Sequence, residues 1–317
     1  MATMTATSNS AAERRSPLRR LLPIIGITLL VIFALLETVP FLLTVANSFK
    51  CLPAVQQVPQ SFIPVPPFGV ACRTEAGVSL PASATTGALT FNPALEGYEE
   101  IARFNMPRWF LNTVIYATAV TLLRVLFDSL AGYSLARLKF PGNRLMFFII
   151  LGTLMIPGVV LLIPRFIILK QLGLLNTYQG VIFALAADAF GIFLMKQFFE
   201  SIPGEIEEAA KVDGASQARI FFQVVLPMAT PALTALTIFS FQGTWNNFMD
   251  VLIIVGGNPN LQNLPLGLAL LRGQFGETLR WHTFLAGSVI TTVPLAIVFF
   301  AFQRYFVEGV SYSGLKG

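Results

Sequence analysis

Apolar residues run along this chain in six long blocks separated by polar joints, at roughly 21–46, 110–136, 145–164, 178–199, 228–255 and 284–303. A bilayer core of about 30 Å takes about 20 residues of helix, so each block is long enough to cross. Leu145 to Leu154 and Ala296 to Phe302 are apolar on every side, whereas barrel strands alternate at every second residue. Backbone groups in lipid need partners within their own segment, so the pattern predicts an all-α, polytopic membrane protein with six transmembrane helices. Pro157, Gly158 and Pro164 in the third block and Pro294 in the sixth predict kinks.

Composition agrees. Of 317 residues, 55% are hydrophobic and 12% charged, with a mean hydropathy of +0.70, against about 25% charged in soluble domains. The formal charge of +5 does not point to nucleic acid, because the basic residues flank apolar blocks and form no patch with interleaved aromatics. With the N-terminus in the cytoplasm, twelve Lys and Arg fall inside, among them Arg14, Arg15, Arg137, Arg144, Lys211 and Arg304. Eight fall outside, including Arg108, Arg165 and Arg280, several of them in a long loop that weighs little in this rule. Both termini are then cytoplasmic, with a tail over 1–20, a membrane domain over 21–303 and a second tail over 304–317. Trp109 and Trp281 are expected as interfacial anchors at the outer ends of the second and sixth blocks. The first block is longer than a signal-peptide core of about 7–15 residues and is read as a span.

Between the first two blocks, 48–108 is dense in proline and small residues and reads as an extracytoplasmic loop. Cys51 and Cys72 both fall in it, on the oxidising side, where a disulfide between them is chemically permitted; two free thiols are the alternative. The sequence contains no Gly-x-x-x-x-Gly-Lys-Ser/Thr, and none of the six lysines comes directly after a glycine, so any ATP must be bound by a partner. His282 is the sole histidine and has no cysteine close in sequence, so no metal site of the usual spacing is expected. No cofactor is implied.

The joint between the fourth and fifth blocks, 200–227, is the most specific stretch. Pro203 suits an early helical position, Glu205, Glu207 and Glu208 suit a helix N-terminus, and Lys211 suits the C-terminus. Gly214 supplies a left-handed stop, Ser216 a cap for a second helix, and Ile220, Phe221, Val224 and Val225 an apolar stripe closed by Pro227. Physically this is a helix, a break and a second helix, and an ordinary amphipathic hairpin on the membrane would look the same. The spacing Glu208-Ala209-Ala210, Gly214, then Val224-Val225-Leu226-Pro227 resembles the EAA signature of ATP-binding-cassette importer permeases, with Val224 where isoleucine is usual. Gln303 to Gly309, the final Gly314-Leu315-Lys316-Gly317, Asn112-Thr113, and Gly132-Tyr133-Ser134-Leu135-Ala136-Arg137 resemble the maltose-type, carbohydrate-uptake subfamily. The long cysteine-bearing loop departs from it.

That resemblance implies the type I importer permease fold in a bacterial inner membrane. It implies a non-catalytic subunit that forms half of a pathway for an oligo- or disaccharide. The implied partners are a second permease subunit, two ATPase subunits that hydrolyse the ATP, and an extracytoplasmic binding protein. Glu207, Glu208, Ala209, Ala210, Asp213, Gly214, Leu226 and Pro227 would couple the chain to its ATPase, and Gly309 to Gly317 would reach between the ATPase subunits or hang as a loose end.

Polar residues inside spans are costly and face a cavity or a partner. Gln242, Trp245, Asn246, Asn247 and Asp250 form the densest such group, offering a ring and amides suited to a sugar; helix packing or gating is the alternative. Arg124 and Asp128, four apart, are expected to pair with each other or with a neighbour. Glycerol-3-phosphate or a polyol is the rival substrate, and an ion-coupled secondary transporter the rival class, although no inverted repeat is apparent.

Overall fold

A computed structural model describes residues 17–50, 55, 95–274 and 280–313, and every regular element among them is helical. Cys51, Cys72, the first sixteen residues and Gly314 to Gly317 lie outside the described residues. Among the described residues, three helices are individually long and apolar enough to cross a membrane: α1 (Pro17–Ser48), α3 (Met106–Arg137) and α13 (Trp281–Ser313). The other three predicted spans are each bent or broken, which gives up to six when each bent pair counts once.

The third block is α4 (Asn143–Leu154), a 3-10 turn (Gly158–Leu161) and α5 (Leu162–Gln171), with a bend of 101°. Pro157 is extended at ψ 130° and cannot donate a backbone bond, so the helix stops before it. Pro164 sits in the first turn of α5, where its missing N–H costs nothing. Pro294, expected to kink, lies inside the unbroken α13. The fourth block is α6 (Tyr178–Ala184) and α7 (Ala189–Ser201), bent by 45° at a junction with neither proline nor glycine. There Asp188 caps α7 by accepting from Gly191 N at 3.3 Å.

After the short α8 (Gly204–Val212), α9 (Gln217–Met228) meets α10 (Thr230–Trp245) at 80°. Pro231 has no N–H to give the carbonyl of Pro227, and Thr230 Oγ1 donates to that carbonyl instead at 2.6 Å. Residues 220–225 of α9 are π-helical, a wider turn than the α-helix expected from the apolar stripe. Ile220, Phe221 and Val225 are buried all the same. The fifth block does not continue to 255 as one helix, because 246–248 break it before α11 (Met249–Val255). α12 (Leu264–Gln274) precedes α13, and α2 (Glu96–Arg103) precedes α3 within the predicted outer loop.

α3 is the central post, packing on α7 and α10 along its length and on α6 and α12 near its start. Gly132 allows a close approach to α7: a Cβ there would stand 2.8 Å from Met195 Cβ and 2.9 Å from Lys196 N. Trp109, expected at a lipid interface, is buried, because Gly267 of α12 lies flat against its indole. Trp281 is 45% exposed. α1 packs on the outside of the bundle, mainly against α13, with Ser48 at its end bonded to Tyr98 of α2 at 2.8 Å, and its apolar side chains are mostly exposed.

Candidate functional site

The loop 200–227 folds back on the foot of α3. Pro203 precedes α8, and Glu205 and Glu207 sit in its first turn with Lys211 in its last, each at the end its charge favours. Gly214 ends the helix at φ 77°, with Ala215 N donating to Ala210 O at 3.0 Å and Gly214 N to Lys211 O at 3.0 Å. This pair of bonds is a Schellman stop, and it requires the left-handed residue that only glycine adopts freely. Ser216 then accepts from Arg219 N at 3.4 Å and opens α9.

α8 has two different faces. Ile206 and Ala210 pack on a cluster of Tyr133, Phe199, Ile202, Ile220, Phe221 and Val225, and Glu207 is buried with them. Glu207 Oε2 accepts from Tyr133 Oη at 3.1 Å, and Gln217 Nε2 donates to the same hydroxyl. Arg137 Nε stands 3.0 Å from Glu207 Oε1 without an aligned hydrogen bond, so that attraction is Coulombic. Arg137 Nη2 donates to Ile202 O. Glu205, Glu208, Ala209, Lys211, Asp213 and Gly214 lie on the outer face, all exposed. Val212, which sequence reading passed over, is 89% exposed at its tip. Leu226 is half-buried and Pro227 exposed. The predicted coupling residues therefore divide: Glu207 points into the bundle, while Glu208, Ala209 and Gly214 are open to a docking partner.

The polar group of the fifth block is also divided. Trp245 is fully packed between Phe241 at 5.4 Å and Phe110 at 6.0 Å, and its Nε1 donates to Thr291 O at 3.1 Å, so its ring offers no stacking face. Gln242 is exposed in a groove of about 300 Å³ between α10 and α13, lined also by Ile238, Thr292, Leu295 and Phe299. Asn246 is exposed at the end of α10. Asn247 and Asp250 do come together: Asn247 Nδ2 donates to Asp250 Oδ2 at 2.8 Å, and Asp250 N to Asn247 Oδ1 at 3.1 Å. Arg165 of α5 donates to the same carboxylate. Sequence reading set Arg165 at an outer membrane edge, and the signal for it was the need of Asp250 for a counter-charge in an apolar setting.

Asn112 and Thr113 hold the segment before α12. Asn112 Nδ2 donates to Asn260 O at 2.9 Å and Gln262 O at 2.8 Å, its Oδ1 accepts from Tyr178 Oη at 2.6 Å, and Thr113 Oγ1 accepts from Leu264 N at 2.8 Å. Tyr116 Oη adds a bond to Leu261 O at 2.9 Å. Arg124 and Asp128 do not bond each other; each holds the junction in the fourth block, Arg124 Nε donating to Leu185 O at 2.7 Å and Asp128 Oδ1 accepting from Asp188 N at 3.0 Å. His282, expected at the interface beside Trp281, is buried with Nε2 3.0 Å from Glu100 Oε2.

Residues 128–312 match the family described as binding-protein-dependent transport system inner membrane component. The chain is 38% identical over 209 residues to an arabinooligosaccharides transport system permease protein of Halalkalibacterium halodurans, covering 66% of this chain and 74% of that one. It is 33% identical over 232 residues to the trehalose/maltose transport system permease protein of Thermococcus litoralis, covering 72% and 83%. Among solved structures, a chain of a bacterial ABC transporter involved in the import of the acidic polysaccharide alginate superposes with a TM-score of 0.73 at 25% identity. That match covers 92% of this chain and 98% of the other.

Proposed function

This chain belongs to the family of binding-protein-dependent transport system inner membrane components, and on that premise we propose that it forms half of the pathway by which a bacterium takes up an oligo- or disaccharide. It is a membrane-spanning permease subunit of a sugar importer of the ATP-binding-cassette type. A second permease subunit completes the pathway, an extracytoplasmic binding protein delivers the sugar, and two cytoplasmic ATPase subunits hydrolyse the ATP. Both termini and the loop 200–227 face the cytoplasm.

The observation that carries the coupling role is the two-faced helix α8. Its outer face offers Glu208 as a hydrogen-bond or ion-pair acceptor, Ala209 for close backbone approach and Val212 as an apolar contact, all exposed. Its inner face is tied to α3, so a shift imposed from outside has somewhere to go. Closure of the ATPase pair would move α8 and switch the spans between inward-open and outward-open arrangements.

Uptake of labelled sugar by cells carrying the whole system tests the class. Uptake should persist when the proton gradient is collapsed and stop when ATP is depleted; the reverse would sink the reading. Ligand binding to the partner binding protein, with a disaccharide and glycerol-3-phosphate as the two arms, tests the substrate.

A further inference from the structure

Two residues of one helix turn in α3 reach every segment that carries the coupling loop. Arg137 touches the end of α7 through Ile202 O and the start of α8 through Glu207. Tyr133, four residues earlier, donates to the other oxygen of Glu207 and accepts from Gln217 at the start of α9. The side chains of Arg137 and Glu207 are 16% and 6% exposed, so little water screens the pair. Next to Tyr133, Gly132 lets α3 and α7 meet backbone to side chain, which leaves no slack between them.

Without these contacts α8 would be held to the bundle by its peptide links and by the apolar packing of Ile206 and Ala210, which is non-directional, so part of a push on α8 would be taken up by sliding over that packing. With them, α7, α8 and the start of α9 are bolted to α3. We infer that Arg137 is a positioning residue, acting through Glu207 and Ile202 O, that passes displacement of the coupling helix to the second span. This rests on the coupling role proposed above, and nothing in it requires Arg137 to touch the ATPase or the sugar.

The test uses the complete importer in proteoliposomes and reads sugar moved per ATP hydrolysed in Arg137→Gln, Glu207→Gln and the double variant. Each single change is expected to lower that ratio about fivefold, the scale on which residues away from both ligands alter coupling. The double variant is expected to be no worse than the poorer single, as for two residues acting as one unit. Each single variant strands a buried charge and could reduce the amount of inserted protein; the double variant strands none, and must still show the lowered ratio. An unchanged ratio in either single or in the double overturns the inference, as do losses that multiply in the double. The coupling role is read separately, from ATPase co-purifying with the wild-type chain and lost on Glu208→Ala. If the wild-type chain retains no ATPase, both readings fall; if it retains ATPase and Arg137→Gln transports with the wild-type ratio, only the positioning role falls.

Discussion

Asp128 of the second span accepts a hydrogen bond from the backbone N–H of Asp188, at 3.0 Å, where the fourth span breaks. One turn away Arg124 donates to Leu185 O at 2.7 Å, so the two side chains satisfy an N–H and a carbonyl at a junction between helices. Asp128→Ala removes an acceptor from a part-buried N–H and should destabilise the protein by about 1–3 kcal/mol, with Asp128→Asn, which keeps an oxygen there, costing less. Gly191→Ala should mimic the loss, since its Cβ would stand 2.9 Å from Asp128 Cγ and 2.8 Å from Leu236 Cδ1. Thermal unfolding of the detergent-solubilised chain ranks the three; an alanine at 128 that melts with the wild type would show that the junction holds itself.

Gly267 is a packing position and not a flexible one. A Cβ on it would lie 2.6 Å from Trp109 Cε2, and Trp109 is flanked by Ile101, Met106 and Leu264 in the same buried cluster. Gly267→Ala should therefore cost about 1–3 kcal/mol by overpacking and displace the indole. Its emission can be isolated in a chain with Trp245 and Trp281 replaced by phenylalanine. Unchanged emission together with an unchanged melting temperature would contradict the packing.

Arg165 and Asp250 join α5 to α11 with side chains 27% and 13% exposed. Partial exposure softens the cost of separating them, so Asp250→Ala or Arg165→Ala should each lower stability by about 1–3 kcal/mol, below the range for a fully buried pair. Removing both should cost less than the two singles added together, because no charge is then left unpaired. A double-mutant cycle on unfolding in mild denaturant measures that difference, and strict additivity would mean the pair does not interact.

The six apolar blocks and the helix, break and helix of 200–227 were legible because both depend on local order: hydropathy over twenty residues, and a glycine, a serine and charges at set offsets around α8. The features that could not be read depend on distant segments meeting. Trp109 has the sequence context of an interfacial residue, and only Gly267, far along the chain, turns it into core. Trp245 beside Asn246 and Asn247 has the composition of a sugar site, yet Phe110 and Phe241 close over its ring. The bend at 185–188 has no proline or glycine to announce it, and is held from outside by Arg124 and Asp128. Glu207 and Glu208 are identical residues one position apart, and helical rotation alone sends one to Arg137 and the other to the exposed face.

Gly214 offers the sharpest separation of folding from coupling. Its φ of 77° penalises most side chains, but asparagine and aspartate tolerate this region best, and a Cβ there would meet nothing within 4 Å. Gly214→Asp should therefore insert normally and lose no more than about 1–2 kcal/mol of stability from backbone strain. A defect in transport would then come from the outer face of α8, where the new carboxylate adds to the negative charge of the exposed Glu205, Glu208 and Asp213 and meets whatever docks there. Transport is expected to fall to background in Gly214→Asp, while Gly214→Asn, of nearly the same shape and backbone preference without the charge, should retain a measurable fraction. Uptake normalised to the inserted amount decides it: full transport by the aspartate variant would detach this surface from coupling, and equal loss in both variants would assign the defect to shape instead of charge.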